Sequence, residues 1–460
     1  MVILQMHTTL RRLFFILLVS SQCVWAASTG TPAGTHEYQY PNGLKLIIQE
    51  DHRAPTVAHM VWYRAGSMDE FNGRTGLAHV LEHMMFKGTK TVKTGEFSRL
   101  VAGLGGRENA FTSRDYTAYF QQVEKSKLNE VIKLEADRMS NLNFDDAEFL
   151  KEIQVVMEER RLRTEDNPGS LLNEALMATA FMSSPYRHPV VGWMNDLQNM
   201  KADDARAWYR SWYAPNNATV VISGDVDPEQ TRQAVEKYYG VIAAHELPPR
   251  KPQLEPAQKG IKQVLVKAPA DSAQFVMAWK VPGLQPGHLD DYEPYALELL
   301  SAVLDGYDNA RLNRIIVKQE RVVDDVNVSY DMISRGPALF EIGTSLAKGK
   351  TVAQAQASIR NVLRAIFQSG VLNSELARIK VRLLSSQIYK RDSIFGQAME
   401  IGSTEMAGFS WRDIDSILEK MQTITPEQVQ AVAKKYLLDE NLTIAVLDPQ
   451  ARQSTDKGGK

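Results

Sequence analysis

Leu247-Pro248-Pro249-Arg250-Lys251-Pro252-Gln253-Leu254-Glu255-Pro256 is the stretch that organises the sequence on either side of it. Four prolines in nine residues cannot continue a helix or a central strand, so the segment reads as an extended, solvated linker. At 460 residues the chain also exceeds what one hydrophobic core usually organises. The expected division is a first domain over 27–246, a linker over 247–260 and a second domain over 261–460.

Outward from the linker, the halves read as diverged copies. The first opens on a strand-like run, Thr56-Val57-Ala58-His59-Met60-Val61-Trp62-Tyr63, and the second on Gln274-Phe275-Val276-Met277-Ala278-Trp279. Each run is followed by a turn and a helix-like stretch. The first half closes with a helix ending at Trp212-Tyr213 and then the strand-like Asn217-Ala218-Thr219-Val220-Val221-Ile222. The second closes with a helix begun by Thr425-Pro426-Glu427-Gln428, a capping box with proline in the first turn, and then Asn441-Leu442-Thr443-Ile444-Ala445-Val446. This order of elements predicts an α+β fold of two homologous halves, each a mainly antiparallel sheet covered by helices on one face.

The first 26 residues stand apart. Arg11 and Arg12 precede an apolar run over 13–19, and the small residues Ala26 and Ala27 follow, the layout of a secretory signal peptide. The run is too short for a stable membrane anchor. Cys23, the single cysteine, lies inside these first 26 residues, so the exported chain is expected to be periplasmic or secreted and to stand without disulfides. The formal net charge of -2 gives no electrostatic footprint for nucleic acid.

Chemistry enters at Thr75-Gly76-Leu77-Ala78-His79-Val80-Leu81-Glu82-His83-Met84-Met85-Phe86. Leu77, Val80, Leu81, Met84 and Met85 recur at helical spacing, and Gly88 can end the element. His79 and His83, four apart, then lie on one face and can converge on a single ion; otherwise they are two histidines packed on an amphipathic helix. Two imidazoles suit zinc, and Glu82 beside them can take a proton from bound water. A third protein ligand is needed. The acid-rich stretch 145–160, capped by Asp145, places Glu152 and Glu159 two turns apart on one face. One of them can ligate while the other hydrogen-bonds a ligating histidine; acids on a helix are otherwise a solvated face.

Taken together, these motifs resemble the pitrilysin/insulinase zinc peptidases, the family that includes the mitochondrial processing peptidases. Five local matches carry the resemblance, in order. They are Gly76 to His83 with Phe86-Lys87-Gly88-Thr89; Asn109-Ala110-Phe111-Thr112-Ser113 with Asp115, Thr117 and Tyr119; Val155-Val156-Met157-Glu158-Glu159; Tyr186-Arg187-His188-Pro189 with Gly192; and Trp212-Tyr213-Ala214-Pro215-Asn216-Asn217 leading to Gly224-Asp225.

The resemblance implies a zinc metalloendopeptidase holding one Zn2+ per chain through His79, His83 and Glu159. Glu82 would be the general base acting on a zinc-bound water, and Glu152 would support a histidine from behind. Glu158, the competing third ligand, points about 100° away on the helix. Asn109, Ala110 and Phe111 would form the edge strand on which a peptide substrate lies by strand addition. In self-sufficient relatives the second half contributes an arginine and a tyrosine to the active site. Here Lys318 and Asp325 stand at those positions, with Tyr307 and Tyr330 as the alternatives under a shifted register. A carboxylate would repel a developing oxyanion. Leu297, Leu300 and Ser301 stand where the first half has His79, Glu82 and His83. The expectation is therefore the zinc-bearing subunit of a heterodimer whose sister chain supplies the arginine and tyrosine. The competing expectations are a non-catalytic structural or peptide-binding subunit of the same fold and a zinc hydrolase acting on something other than peptides.

Overall fold

β-branched and aromatic residues run along the central strands, and they are buried without alternation. Of Thr56-Val57-Ala58-His59-Met60-Val61-Trp62-Tyr63, every residue after Thr56 is buried, and so is each residue of 218–224. Strands apolar on both faces need cover on both faces. The computed structural model describes residues 34–451, so the expected signal peptide over 1–26 lies outside the described residues.

The first half contributes β1 (Thr35–Gln39), β2 (Lys45–Glu50), β3 (Thr56–Tyr63), β4 (Arg107–Thr112), β5 (Thr117–Glu124) and β6 (Ala218–Gly224). The second contributes β7 (Lys262–Pro269), β8 (Gln274–Val281), β9 (Val323–Tyr330), β10 (Ala338–Leu346) and β11 (Leu442–Gln450). The sheets run β1-β2-β6-β3-β5-β4 and β7-β11-β8-β10-β9. Without β1 the two orders are the same. Each sheet has one parallel pair, β2 with β6 and β7 with β11, among antiparallel neighbours. The duplication is thus written in the topology, and in both sheets one edge is the strand that follows the first helices, β4 or β9.

Cover on one face alone was expected; both faces of each sheet are covered. Val57, Val61 and Tyr63 of β3 pack with Leu81, Met84, Ile132, Val156 and Trp208 from helices of their own half. The opposite face, Ala58, Met60 and Trp62, packs against Ala398, Ile401 and Met406 of the helix Ile394–Ala407, which belongs to the second half. The exchange is reciprocal: Leu172, Leu176 and Ala180 of the helix Pro168–Ala180 lie on Ala278, Ala445 and Leu447 of the second sheet. Gly402 allows this approach, because a Cβ there would come within 2.0 Å of the Trp62 ring. From Gly34 onward the chain accordingly closes into one compact unit.

The linker has no helix or strand, yet it is tied down. Arg250 donates Nε to Asp69 Oδ1 at 2.8 Å, and Glu255 accepts the amides of Met182, Ser183 and Ser184 at 2.9–3.0 Å. Burial opposes the charge on Glu255, but an ion pair to Lys280 at 2.6 Å and those amides hold its carboxyl down at about 2. Among the described residues, no helix is long and apolar enough to cross a membrane.

Candidate metal centre

The helix Leu77–Met84 buries Leu77, Ala78, Val80, Leu81 and Met84, which leaves one polar edge for its histidines and glutamate. Its start is held by two acids. Glu70, almost wholly buried, accepts the amides of Gly76 and Ala78, both at 2.8 Å. Asp196 accepts the Thr75 amide at 3.1 Å and the Thr75 hydroxyl at 2.7 Å. Gly76 (φ +87) and Gly192 (φ +87) sit back to back, where a side chain on either would strike the other's backbone. The first and fourth sequence motifs therefore meet at the beginning of this helix. Orphan amides at a helix start are costly to bury unpaired, so this clamp fixes where the histidines point.

Across from it runs the helix Asp146–Arg160, begun by Asp145, whose carboxylate accepts the Glu148 amide at 2.8 Å. Glu152 and Glu159 face the histidines, while Glu158 turns away to pair with Arg161. Donor atoms of His79, His83 and Glu159 all lie within 4.8 Å of one another. His83 Nε2 is 3.3 Å from Glu159 Oε2, and His79 Nε2 is 3.7 Å from Glu159 Oε1. Tetrahedral zinc bonded at about 2.0–2.1 Å sets donors roughly 3.3 Å apart, so two imidazole nitrogens and a carboxylate whose two oxygens stand at these separations fit the ion.

The hydrogen bonds also suit ligation. His83 Nδ1 meets Glu152 Oε1 at 2.9 Å, which turns Nε2 towards Glu159. Glu152 Oε2 is held by Lys87 at 2.5 Å. Burial and then the neighbouring His83 push His79 down to about 3, keeping its imidazole in the neutral form that can donate an electron pair. Burial works against charge on His83 as well, but Glu152 and Glu159 outweigh it and raise that histidine. Glu82 is outside the donor trio. Burial raises its carboxyl above the ordinary 4.5, against a hydrogen bond from the Thr112 hydroxyl.

These residues line a cavity of 820 Å³ whose wall includes Asn109, Ala110, Phe111 and Thr112 of β4. Among the described residues β4 pairs only with β5, so its other edge is free of strands, and the Ala110 amide donates to the Asn109 side-chain oxygen at 2.9 Å. A second cavity of 970 Å³ lies between the halves and shares Arg114, Asn173 and Met177 with the first. Of the second-half residues, Tyr330 lines this second cavity and donates its hydroxyl to the Pro282 carbonyl at 2.6 Å. Asp325 is exposed on β9, Lys318 donates to the Asp308 carbonyl, and Tyr307 lines a separate hollow with Arg311. Leu297 and Leu300 are fully buried, and Ser301 bonds the Glu298 carbonyl of its own helix.

Glu70, Asp196 and Arg163 have structural places at this site that the sequence reading did not assign. A carboxylate in a glycine-containing loop just before a helix is a weak hint for Glu70; for Arg163 the only hint is its place four residues after Glu159.

Residues 45–192 match the insulinase family (peptidase family M16), and residues 199–383 match the peptidase M16 inactive domain. The chain is 28% identical over 423 residues to the zinc protease PqqE of Helicobacter pylori, covering 89% of this chain and 91% of that protein. It is 26% identical to the uncharacterized zinc protease YmxG of Bacillus subtilis, covering 90% and 98%. Its fold superposes on the crystal structure of a protease from Helicobacter pylori with a TM-score of 0.85 at 26% identity, over 90% of this chain and 99% of that one.

Proposed function

The chain belongs to the M16 family of peptidases, and on that premise we propose that it is a zinc-dependent endopeptidase acting on peptides or unfolded polypeptide segments. One observation carries the reading: His79, His83 and Glu159 converge on one point, with Glu82 beside them, in a cavity walled by the free edge of β4. Zinc, when bound there, supplies Lewis acidity, drawing electron density from the scissile carbonyl and making nearby water easier to deprotonate. The chain's own residues do the rest. The edge of β4 at Asn109, Ala110 and Phe111 aligns an extended backbone by main-chain pairing, which selects extension over side-chain identity. Glu82, anchored by Thr112, accepts a proton from the attacking water and then returns it to the leaving amide nitrogen. Glu152, braced by Lys87, keeps His83 in the tautomer whose Nε2 faces the site.

The second reading is a non-catalytic peptide-binding subunit, favoured by the match of residues 199–383 to the inactive domain. All four site residues, His79, Glu82, His83 and Glu159, fall within 45–192 instead. Zinc content and cleavage of an unstructured peptide, measured together, separate the two. Stoichiometric zinc with no cleavage under any condition would favour the binding subunit.

We further propose that the chain works beside a sister subunit after export to the periplasm or outside the cell. Lys318 and Asp325 at the positions of the usual arginine and tyrosine support the partner, and the leader-like 1–26 supports export. Turnover by the purified chain alone, unchanged on adding the sister subunit, would dismiss the partner. Tyr330, on the wall of the second cavity, would then be the first candidate to test in its place.

A further inference from the structure

Two carboxylates stand against the two histidines, and each gives one oxygen to a cation. Glu152 gives one oxygen to His83 and the other to Lys87. Glu159 turns Oε2 towards His83 Nε2 and gives Oε1 to Arg163 at 2.6 Å, and His79 Nε2 stands 3.7 Å from that same Oε1. Arg163 comes from a distinctive place. The helix Asp146–Arg160 runs directly into a π-helical turn, Arg161–Glu165, a widening of the backbone that recurs at functional sites.

That turn is pinned on both sides of Arg163. Arg160 is buried and grips Glu174 through contacts of 2.8 and 3.0 Å, with the Gly192 carbonyl at 2.9 Å. Thr164 is buried, and Asn167 caps the next helix through the Ser170 amide at 3.0 Å. The Arg163 side chain, by contrast, is 78% exposed and lines the cavity of the metal donors. Its backbone is fixed by packing, and among the described residues its guanidinium pairs with Glu159.

A carboxylate has two oxygens, and a four-coordinate zinc needs one of them. The other leaves the group free to rotate unless something holds it. A guanidinium on one oxygen removes that freedom, at the cost of placing a positive charge near the ion. Solvent screens this repulsion for a side chain so exposed, while the orientational gain is kept.

We infer that Arg163 is a positioning residue for zinc capture. It holds Oε1 of Glu159 and so fixes the rotation of the carboxylate with Oε2 presented beside His83 Nε2, as Lys87 fixes Glu152 behind His83. The inference rests on His79, His83 and Glu159 being the zinc ligands.

The test is the zinc dissociation constant of the full chain, measured by chelator competition at fixed pH. The proteins compared are the parent, Arg163→Gln, Arg163→Lys, Glu159→Gln and the double variant Glu159→Gln/Arg163→Gln. Loss of an outer partner of a metal ligand typically weakens binding by about 10–100-fold, which is the fall expected for Arg163→Gln. Arg163→Lys should recover part of it, and the double variant should bind no more weakly than Glu159→Gln alone. The apo melting temperature of Arg163→Gln should match the parent's, because the side chain is exposed. Unchanged or tighter zinc binding in Arg163→Gln overturns the inference, and a raised KM in that case would make Arg163 a substrate contact. Should Glu159→Gln itself leave zinc affinity unchanged, the ligand set is wrong and the inference falls with it. No result for Arg163→Gln alone can produce that pattern.

Discussion

The helix Leu77–Met84 and the helix Tyr292–Asp305 occupy equivalent places in a duplicated topology and are built in opposite ways. The first presents His79, Glu82 and His83 to a cavity. The second puts Leu297 and Leu300 into the core and keeps Ser301 on its own backbone. What differs most is the support. The histidine-bearing helix rests on buried Glu70 and Asp196 at its start and faces Glu152 and Lys87, whereas its counterpart needs only an Asp291 cap and a longer apolar face. A reactive polar edge is expensive to hold inside a protein, and the first half carries that cost while the second stabilises it.

The comparison is broken most directly at Glu82. Glu82→Gln should lower peptide hydrolysis by about 10²–10⁴-fold, the span for loss of a general acid–base, and leave zinc content unchanged. Leu300→Glu at the equivalent place should leave zinc content untouched and lower the melting temperature, because it buries an unpaired carboxylate. If both variants lost zinc alike, the asymmetry between the halves would be wrong.

The exchanged helices come next. Gly402→Val forces a side chain into Trp62 and should cost about 3 kcal/mol or more. Leu176→Ala in the reciprocal helix should cost about 2–4 kcal/mol. Both should lower a single calorimetric transition. Two separating transitions would show that the halves are independent domains after all.

A smaller contrast lies at the helix starts. Glu70→Ala leaves two buried amides unpaired and should destabilise by about 2–3 kcal/mol, against about 1 kcal/mol for Asp291→Ala, whose bond to Glu293 is exposed. Urea titration of both variants checks the ratio. Equal losses would mean that the Glu70 clamp adds nothing beyond an ordinary cap.

The donor set was legible in part. Helical spacing aligns His79 with His83 and Glu152 with Glu159 but leaves either glutamate as the third donor; the family resemblance chose Glu159, the one whose oxygens stand against both histidines. The duplication was legible too, since matching strand runs recur on either side of a proline-rich break. The second cover of each sheet was not. Nothing near Trp62 says that a helix some three hundred residues later will lie on it, though Gly402 inside that helix was a trace, since glycine there costs about 1 kcal/mol without a packing reason. Arg163 was equally silent, because its role depends on a π-turn, a backbone feature that no residue type announces.

The smallest expected effect concerns Glu298, on the second-half helix Tyr292–Asp305. Its carboxyl lines the cavity between the halves, and burial, then the nearby Asp331, push it from the ordinary 4.5 up to about 7, with Lys390 pulling the other way. A carboxyl whose pKa is higher folded than unfolded costs stability as pH rises past the unfolded value, and the cost is complete once pH exceeds the folded one. Glu298→Gln should therefore change nothing near pH 4 and stabilise progressively between about pH 4.5 and 7. Above pH 7 the gain should level off at about 1 kcal/mol, after allowance for solvent reaching the group through the cavity. Denaturant midpoints of parent and variant across that window give the curve directly. A flat difference would mean that Glu298 ionises freely, and that the second half, like the first, has found its buried carboxylate a partner.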